Sequence, residues 1–261
     1  MTRPGATLGV LGGMGPAATA EFLRLLAGRV PARTDQEHPR ILLLSEPAVP
    51  DRSAALLAGD DAPLPVIRQG LATLVGWGAD LLAVPCNTAH VFIDPILADL
   101  GAPLVHIVEA TLLAAVRASP RGAWLTATAG TVASGLYQRR AAELGFRLFV
   151  PDAARQEAID ETVRLVKANR ADEAGGLHRT TAYALWRRRH LPLLAACTEL
   201  PLAHLYAGLP AELAVDSLDA LASACADELY PAADESATVV RMPLAARRHR
   251  GRPLSFPAAA G

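Results

Sequence analysis

Lysine is nearly absent from this sequence: 24 of its 25 cationic side chains are arginine, and Lys167 is the exception. A chain that otherwise uses arginine keeps a lysine where a compact ammonium is needed, or simply by chance. Composition therefore marks Lys167 without deciding its role. Cysteine is scarce too. The three present, Cys86, Cys197 and Cys225, form an odd set with no C-x-x-C pair. That excludes a disulfide framework and a zinc ribbon, and predicts reduced thiols. No apolar run approaches the roughly 20 residues of a membrane span. The N-terminus shows no charged, apolar, small-residue leader, so a soluble cytoplasmic protein is expected. Excess charge is missing as well. A formal net charge of −1 gives no electrostatic argument for nucleic acid or for an anionic membrane as partner.

What is present is 51% apolar and 20% charged over 261 residues, the balance of a globular chain that can bury one large core or two smaller ones. Short apolar runs alternate with helical patterns. Strands are predicted at residues 7–11, 41–44, 80–84, 103–108, 122–126, 146–150 and 192–196. Helices are predicted at 16–30, 63–78, 90–100, 110–118, 134–144, 156–169, 177–189 and 215–229. This alternation argues for parallel sheets covered by helices. The order also repeats. Both halves open with strand, glycine-containing loop and helix, and both close with a strand that runs into a cysteine, polar side chains and a helix. The expected fold is α/β: two pseudo-symmetric lobes, each a mostly parallel sheet flanked by helices, with the active site in the cleft between them. Residues 1–108 and 210–231 are assigned to the first lobe and 109–209 to the second. Residues 232–261 read as an Arg- and Pro-rich solvated tail.

The matching cysteines carry the chemistry. Residues 81–90 read LLAVPCNTAH and residues 193–204 read LLAACTELPLAH. Each apolar run ends in a thiol at the carboxyl end of a strand, where open α/β sheets bind their ligands. A thiol entering a helix N-terminus meets unpaired N–H groups and the positive end of the helix dipole. Both favour thiolate, relative to an ordinary pKa of about 8.5. A free cysteine is by default a small buried hydrophobe, which is the reading for Cys225 within ASACADEL. A repeated pair points instead to one shared small-molecule site. Two thiols across a cleft suit the inversion of a carbon centre, where one removes a proton from one face and the other delivers a proton to the opposite face. The intermediate gathers negative charge on a carboxylate and needs donors already in place. Asn87, Thr88 and Thr198 stand beside the cysteines to supply them.

In these residues the chain resembles the cofactor-independent aspartate/glutamate racemase superfamily, and within it the aspartate racemase branch. The resemblance is carried by GGMGPAATAEF (12–22), His38-Pro39, PDRS (50–53), PCNTAH (85–90), ATAGT with SGLYQRR (127–140), PDAARQEAID (151–160), CTELPL (197–202) and DSLDALA (216–222). CNTAH together with CTELPL is the specific part. The resemblance implies that Cys86 and Cys197 are the acid/base pair, that neither pyridoxal phosphate nor metal is needed, and that the protein is a homodimer acting on a small acidic amino acid. It further implies that Arg52 and Lys167 hold the side-chain carboxylate, with Asp51 orienting the Arg52 fork. Met14, Asn87, Thr88, Thr128 and Thr198 would surround the rest of the substrate. Glu199 stands where the glutamate racemase branch carries His, which turns the expectation toward aspartate. Ala196 replaces a Gly that is commoner before the second cysteine, and leaves substrate size open.

Other readings stay open on the residues alone. Residues 13–18 fit the G-x-G-x-x-A of a dinucleotide site. However, Pro16 lacks the N–H a pyrophosphate would take, and the expected acid, Glu46, comes late. Cys86 and His90, at i and i+4, fit a Cys–His nucleophile or part of a metal site, but with no third partner in view. His38, His106, His178, His190 and His204 show no ligand spacing. The superfamily scaffold also serves racemisation of glutamate or other amino acids, decarboxylation, cis–trans isomerisation and hydantoin racemisation. A catalytically silent binding homologue is the non-enzymatic alternative.

Overall fold

A strand that is apolar at every position must be covered on both faces, and LGVLG at the start of the chain is buried throughout. The computed structural model, which describes residues 5–231, shows how the chain achieves this. Its first half contains β1 (Leu8–Gly12), α1 (Pro16–Arg29), β2 (Ile41–Ser45), α2 (Arg52–Ala58), α3 (Pro63–Gly76), β3 (Leu81–Ala83), α4 (His90–Ile93), β4 (Leu104–Val105) and α5 (Ile107–Ala118). The second half begins with β5 (Ala123–Thr126), α6 (Ala129–Ser134), α7 (Leu136–Glu143), β6 (Leu148–Phe149) and α8 (Ala153–Lys167). It ends with α9 (Ala171–Arg188), β7 (Leu193–Ala195), α10 (Leu200–Tyr206), β8 (Ala214–Asp216) and α11 (Ser217–Leu229).

Two four-stranded sheets result, ordered β2-β1-β3-β4 and β6-β5-β7-β8, with every pairing parallel. The shared order is the structural form of the sequence repeat. In each sheet the chain builds to one side of its first strand and then crosses to the other. Strand order therefore reverses between β1 and β3, and again between β5 and β7. A reversal of this kind opens a crevice at the carboxyl ends of the strands. The loop after β1 turns sharply through Gly13, whose φ is +88°. A Cβ there would stand 2.5 Å from the main chain of Glu46, so no other residue fits.

One hydrophobic cluster runs through both halves. Leu8, Val10 and Phe22 on one side meet Leu125, Tyr137 and Leu194 on the other through Leu112 of α5 and Leu218 and Leu221 of α11. Helix α11 lies along α1, where Arg29 grips Asp219 through two hydrogen bonds of 2.8 and 2.7 Å. Cys225 is fully buried in this contact as a small hydrophobe, and burial pushes its thiol pKa up.

The segment expected to return to the first lobe is divided. Residues 214–216 form a strand that pairs with β7, which would otherwise show a bare sheet edge, and Asp216 then caps the helix that runs to Leu229 as expected. Only the helix that follows packs on α1. Helix 90–100 is one α-turn followed by a 3-10 stretch, Asp94–Asp99, with Pro95 interrupting the α-helical ladder. The strands at 103–108 and 146–150 shrink to two residues each, the first because α5 starts already at Ile107. PDRS opens a helix, α2, that the sequence pattern does not reveal. Residues 232–261 lie outside the described residues. Among the described residues no helix is long and apolar enough to cross a membrane.

Candidate active site

The two strand-order reversals face a single cavity, lined by residues from the carboxyl ends of both sheets. Cys86, three residues past β3, and Cys197, two residues past β7, both line it. So do the cations Arg52 and Lys167, together with Met14, Asn87, Thr88, Thr128 and Thr198. The structure thus gathers every site residue read from the sequence in one place. Asp51, Ser53 and Glu199 complete the lining.

The thiols differ in their surroundings. Cys197 is buried and its Sγ donates to Glu199 Oε2 at 3.1 Å. Burial first, and the Glu199 charge second, push this thiol pKa well above its ordinary value, against a smaller pull from Lys167. The expected thiolate at a helix N-terminus is therefore corrected. Helix α10 begins only at Leu200, and the Glu199 carboxylate lies against the sulfur, so Cys197 rests as a thiol. The main-chain carbonyl of Cys86 accepts a hydrogen bond from His90 Nδ1 at 2.9 Å. Burial, and then the neighbouring His106, lower the His90 pKa to about 3, so the ring is neutral and Nδ1 carries the proton. His90 braces the cysteine loop through its backbone; the ring nitrogens make no bond to the thiol, so the Cys–His pair does not form.

The polar wall is held from behind. Tyr137 donates to Asn87 Oδ1 at 2.6 Å, and Asn87 Nδ2 donates to Ser217 Oγ at 3.1 Å, which fixes the amide's orientation. The hydroxyls of Thr88, Thr128 and Thr131 lie within 2.8 to 3.4 Å of one another. Ser53 Oγ accepts from Gly130 N at 3.0 Å and ties α2 to α6 beside the cavity. A Cβ at Gly130 would stand 2.5 Å from that oxygen. Tyr137, Ser217 and Thr131 are functional supports that the sequence reading did not single out. They lie within ATAGT, SGLYQRR and DSLDALA, segments that carry the family resemblance, but nothing in the spacing of those segments points to these contacts.

The cations are placed differently from one another. Arg52 Nη1 donates to the carbonyls of Val49 and Pro50, both at 3.1 Å, and Nη2 donates to Met14 O at 2.8 Å. Asp51 does not orient it. That carboxylate instead caps α2 through Ala54 N at 2.8 Å. Burial pulls the Asp51 pKa up, but this cap and Lys167 hold it below its ordinary value. Of the five guanidinium donors two remain, one on Nη2 and one on Nε, the latter buried without a partner. Lys167 ends α8, with much of its length exposed and its ammonium without a hydrogen-bond partner among the described residues. Enclosure by protein atoms lowers its pKa, yet Glu199, Cys197 and Cys86 together raise it above the ordinary value. It is charged at neutral pH. No group of three or more His, Cys, Asp or Glu among the described residues is placed to hold a metal ion.

The family model for Asp/Glu/Hydantoin racemase matches residues 11–226. Over 201 residues the chain is 28% identical to the broad specificity amino-acid racemase RacX of Bacillus subtilis (strain 168), covering 74% of this chain and 85% of that one. Its fold is similar to that of Picrophilus torridus aspartate racemase, with a TM-score of 0.71 and 28% identity over 86% of this chain and 94% of the other. Campylobacter jejuni glutamate racemase shares the fold at a TM-score of 0.62 and 18% identity, over 87% and 88% of the two chains. The family match takes in both sheets and both cysteine loops: the chain belongs to the Asp/Glu/Hydantoin racemase family, as an amino-acid racemase.

Proposed function

We propose that this racemase inverts aspartate by two-base proton transfer at Cα, with Cys86 and Cys197 serving opposite faces. The observation that carries this reading is that both thiols line one cavity together with Arg52 and Lys167. A thiolate on one wall removes the α-proton, and the thiol on the other wall returns a proton from the opposite side. Negative charge then grows on the α-carboxylate, where Asn87, Thr88 and Thr128 offer donors already fixed by their own hydrogen bonds. The side-chain carboxylate of aspartate would meet Lys167 and the unspent Nη2 N–H of Arg52, the Nε N–H being buried. These residues supply the whole proton inventory of the scheme.

A second reading, racemisation of a wider set of amino acids, is favoured by Arg52. Three of its donors are already spent on main-chain carbonyls, which weakens its hold on a distal carboxylate. Similarity to a broad specificity racemase points the same way. A panel of L- and D-amino acids incubated in D2O without added cofactor, then resolved by chiral chromatography, separates the two. Aspartate should invert fastest and acquire deuterium at Cα, and Cys86→Ala or Cys197→Ala should each abolish inversion. Full activity in either mutant would remove the two-base scheme, and a flat rate across the panel would favour the wider reading.

A further inference from the structure

Two side chains of α7 reach toward the loop that carries Cys86. Tyr137 holds the Asn87 amide. One turn later Arg140 holds Asp94, just past α4, with Nη2 donating to Oδ2 at 3.4 Å, while its Nη1 donates to Glu109 Oε1 of α5 at 2.8 Å. The other Asp94 oxygen, Oδ1, accepts from His106 Nε2 at 2.8 Å. Burial pulls the Asp94 pKa up, but His106 and Arg140 hold it below its ordinary value, so the carboxylate is ionised at neutral pH. The buried His106 ring stands edge-on to that of His90, with centroids 4.5 Å apart and planes at 63°. His90 in turn donates to the Cys86 carbonyl. His90 Nε2 and His106 Nδ1 are both buried without a hydrogen-bond partner. Two unpaired buried nitrogens are costly, and a purely apolar pair would pack here without that cost. The rings are therefore kept for the bonds of their other nitrogens, one to the Cys86 backbone and one to Asp94.

We infer that Asp94 and His106 are positioning residues for Cys86, an inference that rests on the two-base reading. Neither lines the cavity. They fix the His90 ring, and the ring fixes the carbonyl of Cys86 on a loop that is already tight, with Cys86 N donating to Val84 O at 2.8 Å. The aim of Sγ into the cavity follows from that backbone. Cys197 is braced by other means. Its carbonyl accepts from Leu200 N, the first residue of α10, at 3.0 Å, so its loop is held by its own main chain. The two thiols are thus aimed independently, and only Cys86 depends on the Asp94 chain. A thiol must meet Cα at near-attack range, and a displacement of about 1 Å can cost about 10²-fold in rate. A carboxylate outside the cavity therefore sets the rate at one face of the substrate.

Asp94→Ala removes the acceptor of His106 and should lower kcat about 10- to 100-fold with KM nearly unchanged, because the cavity contacts stay intact. His106→Phe keeps a ring edge against His90 but loses the Asp94 bond, and should match it. Asp94→Asn still offers His106 Nε2 an acceptor and should restore most of the rate. The thiols give a second readout. In a Cys197→Ala background, alkylation of Cys86 by iodoacetamide, followed by mass spectrometry, should speed up several-fold in Asp94→Ala, since the braced residue is only 5% exposed. In a Cys86→Ala background, Cys197 should be alkylated at one rate with or without Asp94. A Cys86 rate that does not rise, a rise shared by Cys197, or a wild-type kcat in Asp94→Ala or His106→Phe would overturn the inference. If Cys86→Ala alone still racemises, the two-base reading falls, while a rise confined to Cys86 upholds its positioning by Asp94 and His106.

Discussion

At the scale of single residues, the cavity's charges already suggest a missing anion. Arg52 and Lys167 face Asp51 and Glu199, but Asp51 is committed to its helix cap and Glu199 to Cys197. The Lys167 ammonium is left without a hydrogen-bond partner, and a second substrate carboxylate would supply one. Lys167→Met should therefore cost kcat/KM for aspartate about 30- to 100-fold, the worth of a charge-assisted hydrogen bond, and cost far less for alanine. Parallel rates on the two substrates check this, and equal losses would argue that Lys167 acts on the thiols alone. Lys167 and the two cysteines were legible in the sequence because one is rare and the others recur at matching places in a repeat. The supports were not. Asn87 and Ser217 lie 130 positions apart, and Tyr137 lies 50 from Asn87, so no local spacing announces their hydrogen bonds.

At the scale of elements, Asp216 does two jobs. It ends β8, and its Oδ1 caps α11 by accepting from Leu218 N at 2.7 Å and Asp219 N at 3.1 Å. Burial raises its pKa to about 6, more than the two cap bonds lower it. A folded pKa above the unfolded value means the ionised form is disfavoured in the native state, so stability falls as pH rises through about 6. Asparagine keeps the cap acceptor without the charge. Asp216→Asn should therefore be more stable at pH 7.5 by on the order of 1–3 kcal/mol, a few degrees in Tm, with the gain gone near pH 4. Thermal melts at the two pH values test it; a lower Tm at pH 7.5 would mean the charge strengthens the cap more than burial opposes it. The same residue ends a strand that the sequence reading lacked, although the helix it opens was read correctly. Val215-Asp216-Ser217 carries a sound helix-start signal, and the three residues before α11 form a strand only because β7 needs a neighbour. Alternation of apolar runs and helices was enough to give two parallel sheets, whereas an edge strand of three residues is decided by tertiary pairing.

At the scale of the whole molecule, α5 and α11 join the two sheets through one core, so the lobes should unfold together. Two fully enclosed histidines then set the acid limit. His90 braces the Cys86 loop. His178 donates from Nε2 to His204 Nδ1 at 3.2 Å, and His204 Nε2 donates to Pro210 O at 2.9 Å, which pins α9 to the helix that follows Cys197. Burial is the main cause of both depressions, to about 3 for His90 and about 4 for His178, from an ordinary 6.5. A depressed folded pKa contributes stability that is whole above pH 6.5 and is lost as pH falls toward those values. Asp216 works in the opposite sense, gaining as pH falls through 6, but its shift is smaller than the two histidine shifts combined. Net stability should therefore fall between pH 6.5 and 4, by up to about 1.4 kcal/mol per pH unit for each histidine. Tm measured across that window should drop steadily, and His178→Gln, which cannot titrate, should make the slope shallower even if its Tm at pH 7 is lower. A Tm that stays level from pH 7 to 4 in wild type would mean these rings reach water or protons without unfolding, and the loops they hold would then be looser than the hydrogen bonds imply.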